Sequence, residues 1–301
     1  MRAEAAIETG LEAFAVQPEA SLLQPVANAP RLSAAASESM REIHITDELG
    51  VQRTLYIPAE RPLTVMFDDR ELVTLMTLGA SPELLVLGFL FNQRLIKDAT
   101  AVESIDVDWK SGTAEVRSRA PDKDHRTPDR DNRAPVRTVA TGSGQGSVFA
   151  GLASQLDSIR LPKPGEARIT HSTLRRVLDV MRLHDSIHRH ARSVHSCALF
   201  QHDRLLVSVE DVSRHNALDT ISGWMIQHGI GGGDKVLFTT GRLTAEMVIK
   251  AAQSGIPIFV SRNGVSAMGY DLAVKFGMAL IGRAVNRRFH CYTGSERLDT
   301  D

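Results

Sequence analysis

Four stretches of this 301-residue chain gather side chains able to do chemistry. They are Ser193-Val194-His195-Ser196-Cys197, the block EDVSRHNALD (210–219), Thr239-Thr240-Gly241-Arg242 followed by Glu246, and SRNGVS (261–266). The second is the densest. Arg214 presents five fixed donors that suit a phosphate or a carboxylate. A helix starting beside His215 and Asn216 would add backbone N–H groups and positive potential. One arginine–aspartate pair there would be a surface ion pair of little energetic weight, but the whole block beside three other polar clusters points to a site. Thr240, Gly241 and Arg242 form a short anion cradle that could equally be an ordinary strand-to-helix turn. His195, Glu210 and Asp211 could support acid–base chemistry if they converge, although a single histidine is more often structural. Cys197 sits in an apolar run and is expected to be a small buried hydrophobe rather than a nucleophile, and Cys291 the same. A zinc deaminase would need Pro-Cys-x-x-Cys and His-x-Glu. Neither occurs, so no metal site is expected.

A fifth stretch, VATGSGQGSVFA (139–150), has three glycines in five residues, at 142, 144 and 146. Glycine permits positive φ and close approach to the backbone. This is an exposed, side-chain-poor loop between a β-type run (136–140) and an apolar segment.

The formal net charge is −1, which favours neither nucleic acid nor a membrane surface as partner. No apolar run has bilayer length, and the N-terminal residues lack a signal-peptide core. Two cysteines argue against a disulfide scaffold and fit a reducing cytoplasm.

The elements that must position these clusters follow from pattern. Residues 1–41, rich in Ala, Glu, Ser and Pro, are expected to be a disordered tail. Residues 42–118 form a small α+β domain. It holds a hairpin of 63–67 and 71–76 about Asp68-Asp69-Arg70, a helix opened by Ser81-Pro82-Glu83, and strands over 102–109 and 113–118. The charged, proline-punctuated segment 119–135 is a linker or mobile loop. In 136–301, helical spacing follows Ser172. Strands at 197–200, 204–209, 235–238, 256–260 and 279–281 then alternate with helices at 216–228, 244–254 and 266–276. That alternation predicts an α/β (α+β) fold in which helices cover a sheet and loops at strand ends carry the ligand.

EDVSRHNALD, TTGRLTAEMVIKAAQSGIPIFVSRNGVSA, Leu280-Ile281-Gly282 with Phe289–Thr293, and FDDRELVTLMTLGASPELLVLGFLFNQRLIKDATAVESI together resemble the formate dehydrogenase accessory sulfurtransferase family, FdhD, over about residues 60–295. The resemblance implies a cytidine-deaminase-like larger domain without zinc, and a homodimer. It implies a sulfur carrier of molybdenum cofactor biosynthesis. Such a carrier takes sulfur from a cysteine desulfurase as a persulfide and passes it to the molybdenum bis(molybdopterin guanine dinucleotide) that formate dehydrogenase needs, with GDP as a cofactor mimic. Cofactor contacts are implied for Arg283, Ala284, Val285, Asn286, Arg287 and Arg288. Three of these are arginines suited to phosphate, although the motif departs from the common pattern. His195, Arg214, His215, Asn216, Thr240, Gly241 and Arg242 complete the expected site.

In relatives the glycine loop carries Cys-x-x-Cys, or Thr-Gly-Cys-Gly-Gln-Gly. Here it is Thr-Gly-Ser-Gly-Gln-Gly, and Ser143 stands at the place of the persulfide cysteine. A thiolate exchanges sulfur readily and a hydroxyl cannot hold it. Three accounts fit: the cysteine was replaced by design, a natural member lost the transfer step, or Cys197 or Cys291 substitutes. The last is the least favoured, because both cysteines are expected to be buried outside any flexible loop. The competing function is a cofactor-binding chaperone that moves no sulfur.

Overall fold

The computed structural model describes residues 25–119, 137–139, 156–184, 186–191 and 193–301. Its first part contains β1 (Arg31–Leu32), β2 (Met40–Thr46), β3 (Gln52–Pro58), β4 (Arg61–Phe67), β5 (Arg70–Thr77), α1 (Pro82–Asn92), β6 (Val102–Asp108), β7 (Thr113–Ser118) and β8 (Arg137–Val139). The rest contains β9 (Ile169–Thr170), α2 (His171–Leu183), α3 (Ile187–Ala191), β10 (His195–Gln201), β11 (Arg204–Asp211), α4 (Arg214–Gln227) and β12 (Lys235–Thr239). After these come α5 (Ala245–Gln253), β13 (Ile258–Ser261), α6 (Ala267–Phe276), β14 (Ala279–Val285), β15 (Arg288–Thr293) and β16 (Leu298–Asp299). The fold is mixed α/β.

Two six-stranded sheets carry it, in the orders β1-β6-β7-β4-β5-β8 and β11-β10-β12-β13-β14-β15. The β4–β5 hairpin forms where its alternating Leu63, Val65, Val73 and Leu75 can bury one face against α1. In the second sheet β12, β13 and β14 run parallel. Every residue of β12 and β13 is buried, because helices cover both faces. Cys197 and Leu199 of β10 pack toward α4 and α5, whereas Ala198 and Phe200 pack toward α2. This alternation assigns each strand-end side chain to one face.

Helices α1 and α4 join the two halves at backbone contact. A Cβ at Gly88 would lie 1.7 Å from the Asp219 carbonyl oxygen, and one at Gly223 would lie 2.0 Å from that of Leu84. Only glycine permits this crossing. Asn92 crosses the same seam and donates to Asp219 (2.7 Å) and Ser222 (3.0 Å).

The expectation of a tail over 1–41 is corrected from residue 25 onward. Arg31–Leu32 pairs in parallel with β6, and Glu83 accepts from the Ser33 hydroxyl and the Ala35 N–H, both at 2.6 Å. Short, weakly apolar segments bind here through side-chain and backbone hydrogen bonds that carry no periodic signature. Arg137–Val139, expected to open the second unit, pairs instead with β5 at the edge of the first sheet. Residues 120–136 fall outside the described residues. The β2–β3 ribbon was not anticipated, and the last core strand continues from 281 to Val285 and turns into β15. Among the described residues no helix is long and apolar enough to cross a membrane.

Candidate functional site

A cavity of about 350 Å³ opens where the ends of β10 and β12 meet α2 and the β14–β15 hairpin. Ser196, Thr240 and Arg262 form its floor, the C-terminal half of α2 supplies Asp179 and Arg182, and Ala284–Arg287 close one side. Thr240 is fixed at the crest of the sheet. Its N–H donates to the Ser196 carbonyl (2.9 Å), its hydroxyl accepts from the Ser196 N–H (2.9 Å), and Asn263 donates to its carbonyl (2.7 Å).

The hairpin wall has unusual backbone geometry. Asn286 and Arg287 take φ of +49° and +67°, the two positive values of a tight primed turn. Arg283, at φ +50°, marks an irregularity in the ladder between Gly282 and Val285. Asn286 suits its position in such a turn, whereas arginines adopt such φ values only where the surroundings enforce them. The result buries Ala284 and lays the turn along the cavity. Arg287 donates to Asp179 through Nη2 (2.6 Å) and Nε (3.0 Å), and Arg182 stands 3.5 Å from the same carboxylate. Two arginines thus meet one aspartate, Arg262 adds a third cation to the lining, and the cavity carries surplus positive charge among the described residues. His188 also lines it. Its Nδ1 lies 2.7 Å from the Val194 carbonyl, which only accepts, so Nδ1 bears the proton.

The remaining predicted residues lie on the other face of the crest. Arg214 opens α4, and its side chain crosses the position where a Cβ on Gly241 would be, 2.7 Å from its Cδ. Glycine at 241 is therefore required. His195 faces this side, with Nδ1 3.5 Å from the Thr240 hydroxyl. Burial, with Arg214, His188 and Arg242 nearby, lowers the pKa of His195, and burial and Arg242 lower that of Arg214. His215 is pushed down to about 2 by burial and by the neighbouring Lys250 and Arg214. It lies 3.5 Å from Glu246. Beneath it Lys250 donates to Asp219 at 2.9 Å and approaches Glu246 at 3.4 Å. Burial alone would lower the pKa of Lys250, but these two carboxylates outweigh it and hold the lysine charged.

Glu210 and Asp211 do not converge with His195 as acid and base. Glu210 accepts from the Ser196 hydroxyl and from the N–H groups of Ile187 and His188. Asp211 accepts from the Thr77 hydroxyl, the N–H groups of Leu78 and Ser213, and Asn216. It ties the two sheets together, and burial pushes its carboxyl up to about 6. Asn216 is committed here too, donating to the Met76 carbonyl at 2.7 Å and to Asp211 at 3.0 Å. Both carboxylates and Asn216 are structural.

Thr240 and 284–287 therefore come together in the cavity, while His195, Arg214, His215, Gly241 and Arg242 gather on the opposite face. Arg283 and Arg288 are exposed on the hairpin. Ser143 lies outside the described residues. Cys197 is buried, and burial pushes its thiol up to about 12. Cys291 is half-buried rather than buried, its pKa also raised by burial. The cavity residues Asp179, Arg182 and His188 were missed. The only signal for them was polar side chains on the last turns of an amphipathic helix and just beyond it. Arg262 belonged to a recognised cluster but had no assigned role.

A model described as the FdhD/NarQ family matches residues 58–299. The sulfur carrier protein FdhD of Bacillus licheniformis is 29% identical over 248 residues, covering 82% of this chain and 92% of that protein. That of Halalkalibacterium halodurans is 28% identical over 261 residues, covering 86% and 94%. A crystal structure of a candidate formate dehydrogenase accessory protein from Desulfotalea psychrophila superposes with a TM-score of 0.67 at 26% identity, covering 86% of this chain and 98% of that one.

Proposed function

Since the chain belongs to the FdhD/NarQ family, we propose that it serves formate dehydrogenase as a sulfur carrier, on a cytidine-deaminase-like scaffold without zinc and as a homodimer. Its substrate is the molybdenum bis(molybdopterin guanine dinucleotide), to which it passes sulfur received from a cysteine desulfurase. The observation that carries this reading is the cavity at Thr240. A guanine nucleotide needs a concave site with surplus positive charge for its diphosphate and fixed polar groups for orientation. Arg182, Arg262 and Arg287 supply the charge, and the threonine and the hairpin backbone supply the polar groups. GDP titrated calorimetrically into the full chain is expected to bind, and to bind more weakly in Arg262→Gln. No heat with GDP would sink this reading.

The cysteines favour a second reading. Neither thiol is a ready thiolate, and Ser143 cannot hold a persulfide. Under this reading the chain holds the cofactor and moves no sulfur. Cyanolysis after incubation with a cysteine desulfurase and cysteine separates the two. Thiocyanate from the native chain supports transfer. Thiocyanate from Ser143→Cys alone supports the binding role.

A further inference from the structure

We propose that Asp179 is a resident anion of the cavity, a latch on Arg287 and Arg182 that an entering diphosphate must displace. This gives the regulation of the site described above, and it rests on that reading for the kind of ligand.

The latch joins two walls. Asp179 and Arg182 lie on α2, Arg287 lies on the turn between β14 and β15, and all three line the cavity. Nε and Nη2 of Arg287 both donate to one carboxylate oxygen, Oδ2, at 3.0 and 2.6 Å. Arg182 Nη2 stands 3.5 Å from the other oxygen, Oδ1. One carboxylate thus engages two of the three arginines among the described lining residues, and Arg262 stays outside the cluster. Asp179 itself remains ionised, because the Arg287 guanidinium beside it holds its carboxyl below the usual carboxylate range.

The moving part is a side chain. The backbone of the turn is fixed, since Val285 and Arg288 pair across it and Ala284 is buried. The side chains of Arg287 and Arg182 are 65% and 56% exposed, so each can leave the carboxylate without unpacking the interior. Exposed ion pairs are weak, and the latch can therefore be opened. A diphosphate is suited to open it. It brings more than one negative charge and several acceptor oxygens, and forked guanidinium–phosphate bonds are among the stronger polar contacts. Every anion that uses these arginines must first break their pairing with Asp179, whereas a neutral guest leaves it in place.

The test is a double-mutant cycle. Inorganic pyrophosphate is titrated calorimetrically into the full chain, Asp179→Ala, Arg287→Gln and the double variant, with GDP as a second probe. Asp179→Ala should bind pyrophosphate about fivefold more tightly than the native chain. In the Arg287→Gln background the same substitution should change affinity less than about twofold, because effects that run through one contact are not additive. An equal gain in both backgrounds would make Asp179 a mere through-space charge and overturn the latch, while the anion reading of the cavity stands. Unchanged or weaker binding by Asp179→Ala overturns it as well. Pyrophosphate binding that shows the coupling, with no GDP binding, keeps the latch and removes the nucleotide reading. No binding of pyrophosphate to any of the four proteins removes both.

Discussion

The α1–α4 seam and the rim of the cavity are built by opposite means. At the seam, two glycines bring backbones into contact, and Asn92 and Lys250 both donate to the Asp219 carboxylate out of water. At the rim, three non-glycine residues within five sit at positive φ, and three arginines line the cavity with one aspartate. The seam spends its interactions on holding the halves together. The rim keeps strain and unbalanced charge that only a ligand can use. If so, substitutions at the seam should damage folding, and those at the rim should damage binding while leaving folding alone.

Gly223→Val should give the largest effect. Its Cβ would fall 2.0 Å from the Leu84 carbonyl oxygen, where both sides are backbone and neither can yield. A loss of more than about 4 kcal/mol is expected, read as a missing cooperative thermal transition. A native-like melt would mean that the helices can separate and that the seam is no constraint. Lys250→Met comes next. It strands Asp219 as a buried unpaired carboxylate, at a cost of about 3–5 kcal/mol in chemical denaturation. The double variant with Asp219→Leu should recover part of that loss. No recovery would show that Lys250 acts through something other than this pair.

At the rim the order reverses. Arg262→Gln should lower GDP affinity about tenfold with an unchanged melting temperature, since its side chain is exposed. A matching drop in stability would erase the distinction between rim and seam.

The seam and the rim also differed in how far they could be anticipated. Pro82 after Ser81, the alternation of 63–67 and 71–76, and the paired runs around Cys197 and Val207 are local signals, and those elements form. The seam had no local signal. Gly88 and Gly223 are 135 positions apart, and nothing near either one says that they meet. Residues 31–32 and 137–139 join the first sheet through tertiary pairing of stretches too short to show a period. EDVSRHNALD was legible as important but ambiguous in purpose. Glu210, Asp211 and Asn216 hold structure, while Arg214 and His215 face the crest. A sequence does not reveal which polar residue finds a buried donor.

A pH titration sharpens the difference within that block. His215 folds neutral, with a pKa near 2 against an ordinary 6.5. Below pH 6.5 the unfolded chain takes up a proton that the folded chain refuses. Stability present above 6.5 is therefore lost on acidification, by up to about 1.4 kcal/mol per pH unit. Asp211 has the opposite sign. Its folded pKa of about 6 exceeds the ordinary 3.8, so from pH 6 down to 3.8 the folded chain binds the extra proton and gains stability. In the native chain the two slopes oppose each other across that window. His215→Gln removes one of them, and its melting temperature should rise relative to the native chain as pH falls from 6.5 to 4. Parallel profiles for the two proteins would mean that His215 titrates like an exposed histidine.

The smallest effect should have a positive sign. Arg283 sits at φ +50° in the irregular part of the hairpin, is exposed, and does not line the cavity. A left-handed backbone costs a side-chain-bearing residue about 1 kcal/mol relative to glycine. Glycine also gives the unfolded chain extra freedom, which offsets part of that gain. Arg283→Gly should thus stabilise the chain by about 0.5 kcal/mol and leave GDP affinity within twofold, because the cavity wall begins at Ala284. A loss of stability would mean that the conformation at 283 is held by contacts of the arginine itself. The rim would then be supported as the seam is, by its side chains, rather than holding strain in reserve for a ligand.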